Sequence, residues 1–196
     1  MVGITIQQTI AQVDSISMRE QPVWSLGRQY VYMATYTDTA DSVITQELIT
    51  IHPTERLWEI DSSQTLATFT IYFDAKDSAQ LAPLPLNGVQ RGWLREYQEG
   101  VMENYQRIWM HPIRSNQYQL TEVAPFPEVR FPLQVGKHWS SSLSIYEGFG
   151  SFQGIVKSEY KVTNQVHRRY DFGTASCWEI ETTGIHDTLG LSTAVF

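Results

Sequence analysis

A single cysteine, Cys177, stands in a chain of 196 residues. That excludes an intrachain disulfide and any cysteine-rich zinc site, and it leaves the compartment open. No stretch approaches the roughly 18 apolar residues of a membrane span, so no integral membrane segment is expected. Basic residues are few: 14 Lys and Arg face 21 Asp and Glu, for a formal charge of −7 and a pI near 5.2. An acidic surface repels phosphate backbones, which argues against a nucleic-acid partner. The only adjacent basic pair, Arg168-Arg169, is expected in a solvated turn. The start, Met1-Val2-Gly3-Ile4, has neither the basic opening nor the apolar run of a secretory signal. P-loop, dinucleotide fingerprint and G-x-S-x-G elbow are all missing, so no cofactor is expected.

What the chain does have is aromatic weight. Aromatics make up 12% of it, with six Trp and ten Tyr, while charged residues make up 18%. Such residues suit pleated, half-buried surfaces, and the composition leans towards β. Tyr30, Tyr32, Ala34 and Tyr36 alternate with Val31, Met33 and Thr35. Residues 42–51 read as a second strand and 56–61 as a short third. In 65–75, Phe69, Ile71 and Phe73 share one face. Turns are expected at 38–41, at His52-Pro53-Thr54 and at Asp61-Ser62-Ser63. Short connections of this kind predict antiparallel pairing.

After a proline-marked connector at 81–88 the pattern predicts an amphipathic helix over 88–110. At about 100° per residue, Leu94, Val101 and Ile108 fall along one line, flanked by Trp93, Tyr97 and Tyr105. Arg95, Glu99 and Glu103 cover the opposite side, and Glu103 stands four residues before Arg107. A second β block follows over 117–196. It holds a strand at 118–123, an alternation from Trp139 to Ile145, a long strand through Val156, Tyr160, Val162 and Val166, and strands at 176–182 and 189–196. The expected fold is mainly β, of α+β class: a strongly curved antiparallel sheet or open barrel wrapped around one long helix. The whole chain, 1–196, reads as a single domain with a possible arm at 1–22 and a first β block at 23–80.

Phe131-Pro132-Leu133-Gln134-Val135-Gly136-Lys137-His138-Trp139, followed by Tyr170-Asp171-Phe172-Gly173-Thr174-Ala175-Ser176-Cys177-Trp178-Glu179-Ile180, resembles uncharacterised β-rich proteins of the bacterial cell envelope. These are broadly similar to the half-barrel lipoprotein carriers of LolA-like fold. The resemblance covers about residues 125–196 and supplies no catalytic residues. It implies a periplasmic or outer-envelope location and an apolar ligand, by analogy of fold.

Candidate chemistry is sparse. Glu96, Glu99 and Glu103 would gather on the polar side of the helix, where carboxylates serve as acid and base or as metal ligands. A solvated, ion-paired face explains them equally. The five histidines, His52, His111, His138, His167 and His186, show no chelating spacing. Cys177 with His186-Asp187 could form a nucleophile and base, against the plainer reading of a buried apolar filler. Phe69, Phe73, Trp93, Tyr97, Tyr105, Trp109, Trp139 and Trp178 could line a cavity for a lipid or other apolar molecule, or simply fill the core. The leading expectation is a non-enzymatic binding or structural domain holding such a ligand between sheet and helix. The alternatives are a protein-interaction module using exposed strand edges, and a hydrolase in which the fold brings Glu99 or Glu103 to a histidine.

Overall fold

The computed structural model describes residues 22–37, 40–76, 93–111, 116, 124–145, 153–170, 173–188 and 190–196. These form two antiparallel sheets. The first runs in chain order through β1 (Tyr30–Thr37), β2 (Val43–Leu57), β3 (Thr65–Tyr72), β4 (Glu96–Glu103), β5 (Arg107–Met110) and β6 (Glu128–Arg130), and it curls into a half-barrel. The second is a meander of β7 (His138–Ile145), β8 (Gly154–Tyr170), β9 (Gly173–His186) and β10 (Gly190–Val195). Among the described residues β1 and β6 flank the first sheet, and β7 and β10 the second. Residues 1–21 of the arm expected at 1–22, the connector at 81–88 and the strand at 118–123 lie outside the described residues.

Period-two alternation builds the first sheet. Tyr32 pairs with Ile49, Ile49 with Ile71, Ile51 with Phe69, and Phe69 with Tyr97. Residues directly opposite in a ladder share a face, so these rows stack into one core with Ala34, Ala67, Val101 and Met110. Ile49, Phe69, Ile71 and Val101 are fully buried, which contributes roughly 1.5–3 kcal/mol for each such side chain. Phe69 and Tyr97 stack with ring centres 5.3 Å apart.

The helix expected over 88–110 does not form in its described part, residues 93–110. Residues 96–103 and 107–110 are β4 and β5, and no helical element occurs among the described residues. The reason lies in burial. Gly100, Val101 and Met102 are consecutive and all buried, because β4 is covered on both faces. A strand buried on both faces loses its alternation, and its apolar residues then fit a helical period as well. Gly100 decides between the two: a Cβ there would lie 2.5 Å from the Trp58 ring and 2.1 Å from Gln64 Oε1. Asn104, in the middle of the presumed helix, makes the turn instead. Its Oδ1 accepts from the amides of Gln106 (2.9 Å) and Arg107 (3.0 Å).

Two expected turns are also strand. His52-Pro53-Thr54 lies inside β2, where Pro53 pairs with Ala67. A proline is tolerated because β1 ends its pairing with Tyr30 opposite Ile51, so the side of Pro53 away from β3 carries no ladder bond. Arg168-Arg169 lies in β8, and Arg168 Nη2 donates to Glu179 Oε1 at 2.7 Å. β8 and β9 stay paired to Tyr170 opposite Gly173, beyond the last partners of β7 and β10, Lys161 and Glu181. The distal half of this hairpin is therefore a two-stranded ribbon.

The second sheet turns Trp139, Tyr160, Val162 and Ile180 into its own core, with Trp178 half-buried beside them. Trp139 and Tyr160 are cross-strand partners and stack at 5.3 Å and 6°. Trp139→Ala should cost roughly 3–5 kcal/mol of stability. Tyr105→Ala, at a turn where the ring is 74% exposed, should change it by less than about 0.5 kcal/mol. Urea unfolding of both variants checks the contrast. Burial pushes the Tyr160 hydroxyl above its usual pKa, so the folded chain keeps a proton that the unfolded chain releases. That stabilisation is whole below about pH 10 and is lost as pH rises further. Denaturation curves from pH 8 to 11 should fall less steeply for Tyr160→Phe than for the wild type.

Candidate functional site

The face of β4, β5 and β6 turned away from the half-barrel core carries the site. Met102 lies opposite Trp109, and Trp109 opposite Glu128, so three strands set one row of side chains. Two residues along, Arg107 lies directly opposite Arg130. Like charges in that position repel. Glu128 relieves the repulsion: its carboxylate accepts from Arg130 Nε at 2.9 Å and Nη2 at 3.4 Å, and lies 3.7 Å from Arg107 Nη1. The carboxylate side chain is 3% exposed, against 41% for Arg107 and 37% for Arg130. A buried anion is thus compensated by two guanidiniums that still reach solvent. Arg130 Nη2 also donates to the Ser140 carbonyl of β7 at 3.3 Å, tying the two sheets together.

The second sheet supplies the opposite wall. Its register lines up Ser141, Ser158, Gly184 and Ser192 as a row of small residues across all four strands. The row leaves room for the segment 124–127: a Cβ on Gly184 would come within 3.3 Å of Pro125. The Tyr160 hydroxyl donates to the Phe126 carbonyl at 3.0 Å and holds that segment. Between the walls lies a cleft of about 410 Å³, in the range of small-ligand sites. Met102, Trp109 and Phe126 give it an apolar stretch, and Arg107, Glu128 and Arg130 a charged one. Ser141 and Ser158 face them.

Two neighbours set the local charge. Bonds from the Ser63 hydroxyl and amide, then from Gln64, hold the Asp61 carboxyl below its usual range, with Arg107 adding a smaller pull. Lys137 donates to the carbonyls of Arg130 and Pro132, both at 2.8 Å, and burial followed by the Arg130 charge lowers its ammonium pKa.

Trp109 and Phe126 also border His111, with ring centres at 6.0 and 5.5 Å, and Trp58 closes a third side at 5.5 Å. Inside this aromatic enclosure His111 Nδ1 lies 3.0 Å from Glu99 Oε2. A histidine and a carboxylate therefore do converge, from β4 and the end of β5. The other glutamates part company. Glu103 accepts from the amides of Val23 (2.9 Å) and Trp24 (2.8 Å), clamping the chain before β1 onto β4, while Arg107 turns to Glu128. The presumed helical Glu103–Arg107 pair and the three-glutamate face do not form.

Cys177 and His186 do not meet either. Both lie on β9, about nine residues and hence on the order of 30 Å apart. Cys177 is buried, with its sulfur 3.3 Å from the Tyr170 hydroxyl. Thr188 N–H donates to His186 Nδ1 at 3.1 Å, so Nε2 carries the proton and donates to the Gln153 carbonyl at 3.0 Å. Among the described residues no group of three His, Cys, Asp or Glu side chains could hold a metal ion, and no helix is long and apolar enough to cross a membrane.

The eight aromatics proposed from sequence fall in several places. Phe69 and Tyr97 lie on the half-barrel core, Phe73 packs on Trp93 at 5.0 Å under the Arg95 guanidinium, and Tyr105 points to solvent. Trp139 and Trp178 belong to the core of the second sheet. Trp109 alone among them lines the cleft. Sequence reasoning missed Arg107, Glu128, Arg130 and Phe126 as a group. One signal was present: Glu128 and Arg130 stand two apart, which on a strand places both on one face.

The ion cluster predicts an asymmetry. Arg130→Met leaves the buried Glu128 carboxylate with Arg107 alone and should cost about 3 kcal/mol. Glu128→Gln leaves two half-exposed guanidiniums that water can solvate, and should cost about 1 kcal/mol. Thermal unfolding of the two variants in low salt measures the difference.

Comparison of the chain with protein-family models, curated proteins and solved structures finds no match.

Proposed function

We propose that the chain is a binding domain and that the cleft between its two sheets receives a small ligand. The observation that carries this reading is the lining itself. Arg107 and Arg130 remain two-fifths exposed around a buried carboxylate, beside the Trp109–Phe126 wall, in a concavity of about 410 Å³. The exposed parts of both guanidiniums leave N–H donors on the cleft lining, where a ligand can accept from them. An envelope location and kinship to the half-barrel carriers belong to this proposal on the strength of the Phe131–Trp139 and Tyr170–Ile180 resemblance. The ligand site moves, however, from a space between sheet and helix to the space between the sheets.

A hydrolase is the second reading, favoured by the 3.0 Å His111–Glu99 contact beside the cleft. A carboxylate on Nδ1 holds a neutral imidazole in the tautomer whose Nε2 can act as a base. Turnover of a nitrophenyl ester or glycoside that disappears in His111→Gln would establish it, and an inert wild type would remove it.

For the binding reading, the variant Ser141→Trp fills the cleft from β7, on the row that faces Pro125 and Phe126. Native mass spectrometry and thermal shift with a chemically diverse small-molecule library should show compounds that bind the wild type and raise its Tm, as any ligand selective for the folded state must. Ser141→Trp should fold and bind none of them. A library without hits, or hits indifferent to Ser141→Trp, would defeat the proposal.

A further inference from the structure

The charges lining the cleft cancel. Asp61 and Glu128 contribute two negative charges, Arg107 and Arg130 two positive ones. A site for an anion or a cation keeps an excess of the opposite sign, because in a partly desolvated cleft net charge dominates binding. What this lining offers is donors and acceptors side by side. Guanidinium N–H groups can only donate, carboxylates only accept, and serine hydroxyls do both. Gln64, 6% exposed and in the wall of the cleft, donates through Nε2 to Asp61 at 2.7 Å, with its Oε1 turned onto Gly100. Beside the charged groups, Trp109 and Phe126 present an apolar surface, tilted 45° to each other with ring centres 5.6 Å apart.

We infer that the ligand of this cleft is a neutral, hydroxyl-rich molecule, a carbohydrate unit. The inference rests on the binding reading above and names its ligand class. Each hydroxyl of a sugar both donates and accepts, which matches a lining where the two kinds alternate. The C–H face of a pyranose ring is apolar and suits the aromatic wall. A fatty-acid carboxylate would meet the Glu128 and Asp61 charges, and a polyamine would meet Arg107 and Arg130.

The test uses the full chain with 5-fluorotryptophan incorporated, so that the Trp109 fluorine resonance, assigned through Trp109→Phe, reports on the cleft. The probes are glucose, galactose, mannose, N-acetylglucosamine and their β-linked disaccharides, with octanoate and spermidine as charged controls. At least one saccharide should shift the Trp109 signal saturably, with an affinity changed less than twofold between 50 and 500 mM NaCl, since a neutral ligand is not screened. Trp109→Ala should weaken that saccharide at least tenfold by saturation-transfer NMR. Arg107→Leu, on the polar side, provides a second variant should Trp109→Ala unfold. If octanoate or spermidine shifts Trp109 with strong salt dependence and no saccharide does, the cleft is a ligand site of another class, and the carbohydrate inference falls while the binding reading stands. If none of these probes, nor any compound of the diverse library, moves the Trp109 signal, both fall together.

Discussion

The carboxylate of Glu128 sits where the register of the first sheet would otherwise fail. Pairing of β5 with β6 brings Arg107 opposite Arg130, and the same pairing puts Glu128 opposite Trp109. With the carboxylate between them the two arginines become an ion cluster instead of a repulsion, and Arg130 is free to reach the Ser140 carbonyl of the other sheet. The charged side of the cleft and its neutral lining follow from that arrangement. Its cost is a buried anion, which is stable only while both cations stay in place.

A second constraint acts through size. The row Ser141, Ser158, Gly184 and Ser192 is narrow where the neighbouring row carries Trp139 and Tyr160. Small side chains let Pro125 and Phe126 approach the second sheet, and the Tyr160 hydroxyl fixes them there. Phe126 in turn touches both the cleft and the His111 enclosure. Trp109 likewise borders both.

Strand alternation was legible wherever one face of a strand met water. Tyr30 to Tyr36, residues 65–72 and the run from Trp139 to Ile145 read correctly for that reason. The reading failed at β4 and β5, where Val101 and Met110 face the half-barrel core and Met102 and Trp109 face the second sheet. Burial on both faces removes the alternation, and the remaining apolar spacing matches a helix as well as a strand. It failed again at Pro53, because a proline ends a strand only where its missing N–H is needed by a neighbour, and β1 stops before that point. The candidate site was hardly legible. Its charged groups come from the turn at 61–64, from β5 and from β6, and a one-dimensional pattern cannot show which of three distant segments share a face.

The sequence by itself determined the β-rich character of the protein, while the α+β class it suggested gave way to an all-β one. One cysteine, an acidic balance, no long apolar run and a heavy aromatic load lead to a β-rich domain without disulfides, and local periodicity is enough to carry that much. Tertiary structure alone decided that residues 96–110 are strands, that Glu99 meets His111 while Glu103 clamps Val23 and Trp24, and that Arg107, Glu128 and Arg130 form one cluster. The physical reason is the same in each case. Register and two-sided burial are properties of pairs of segments, and the energies that settle them, a relieved repulsion or a Cβ that would not fit over Gly100, arise only when those segments touch.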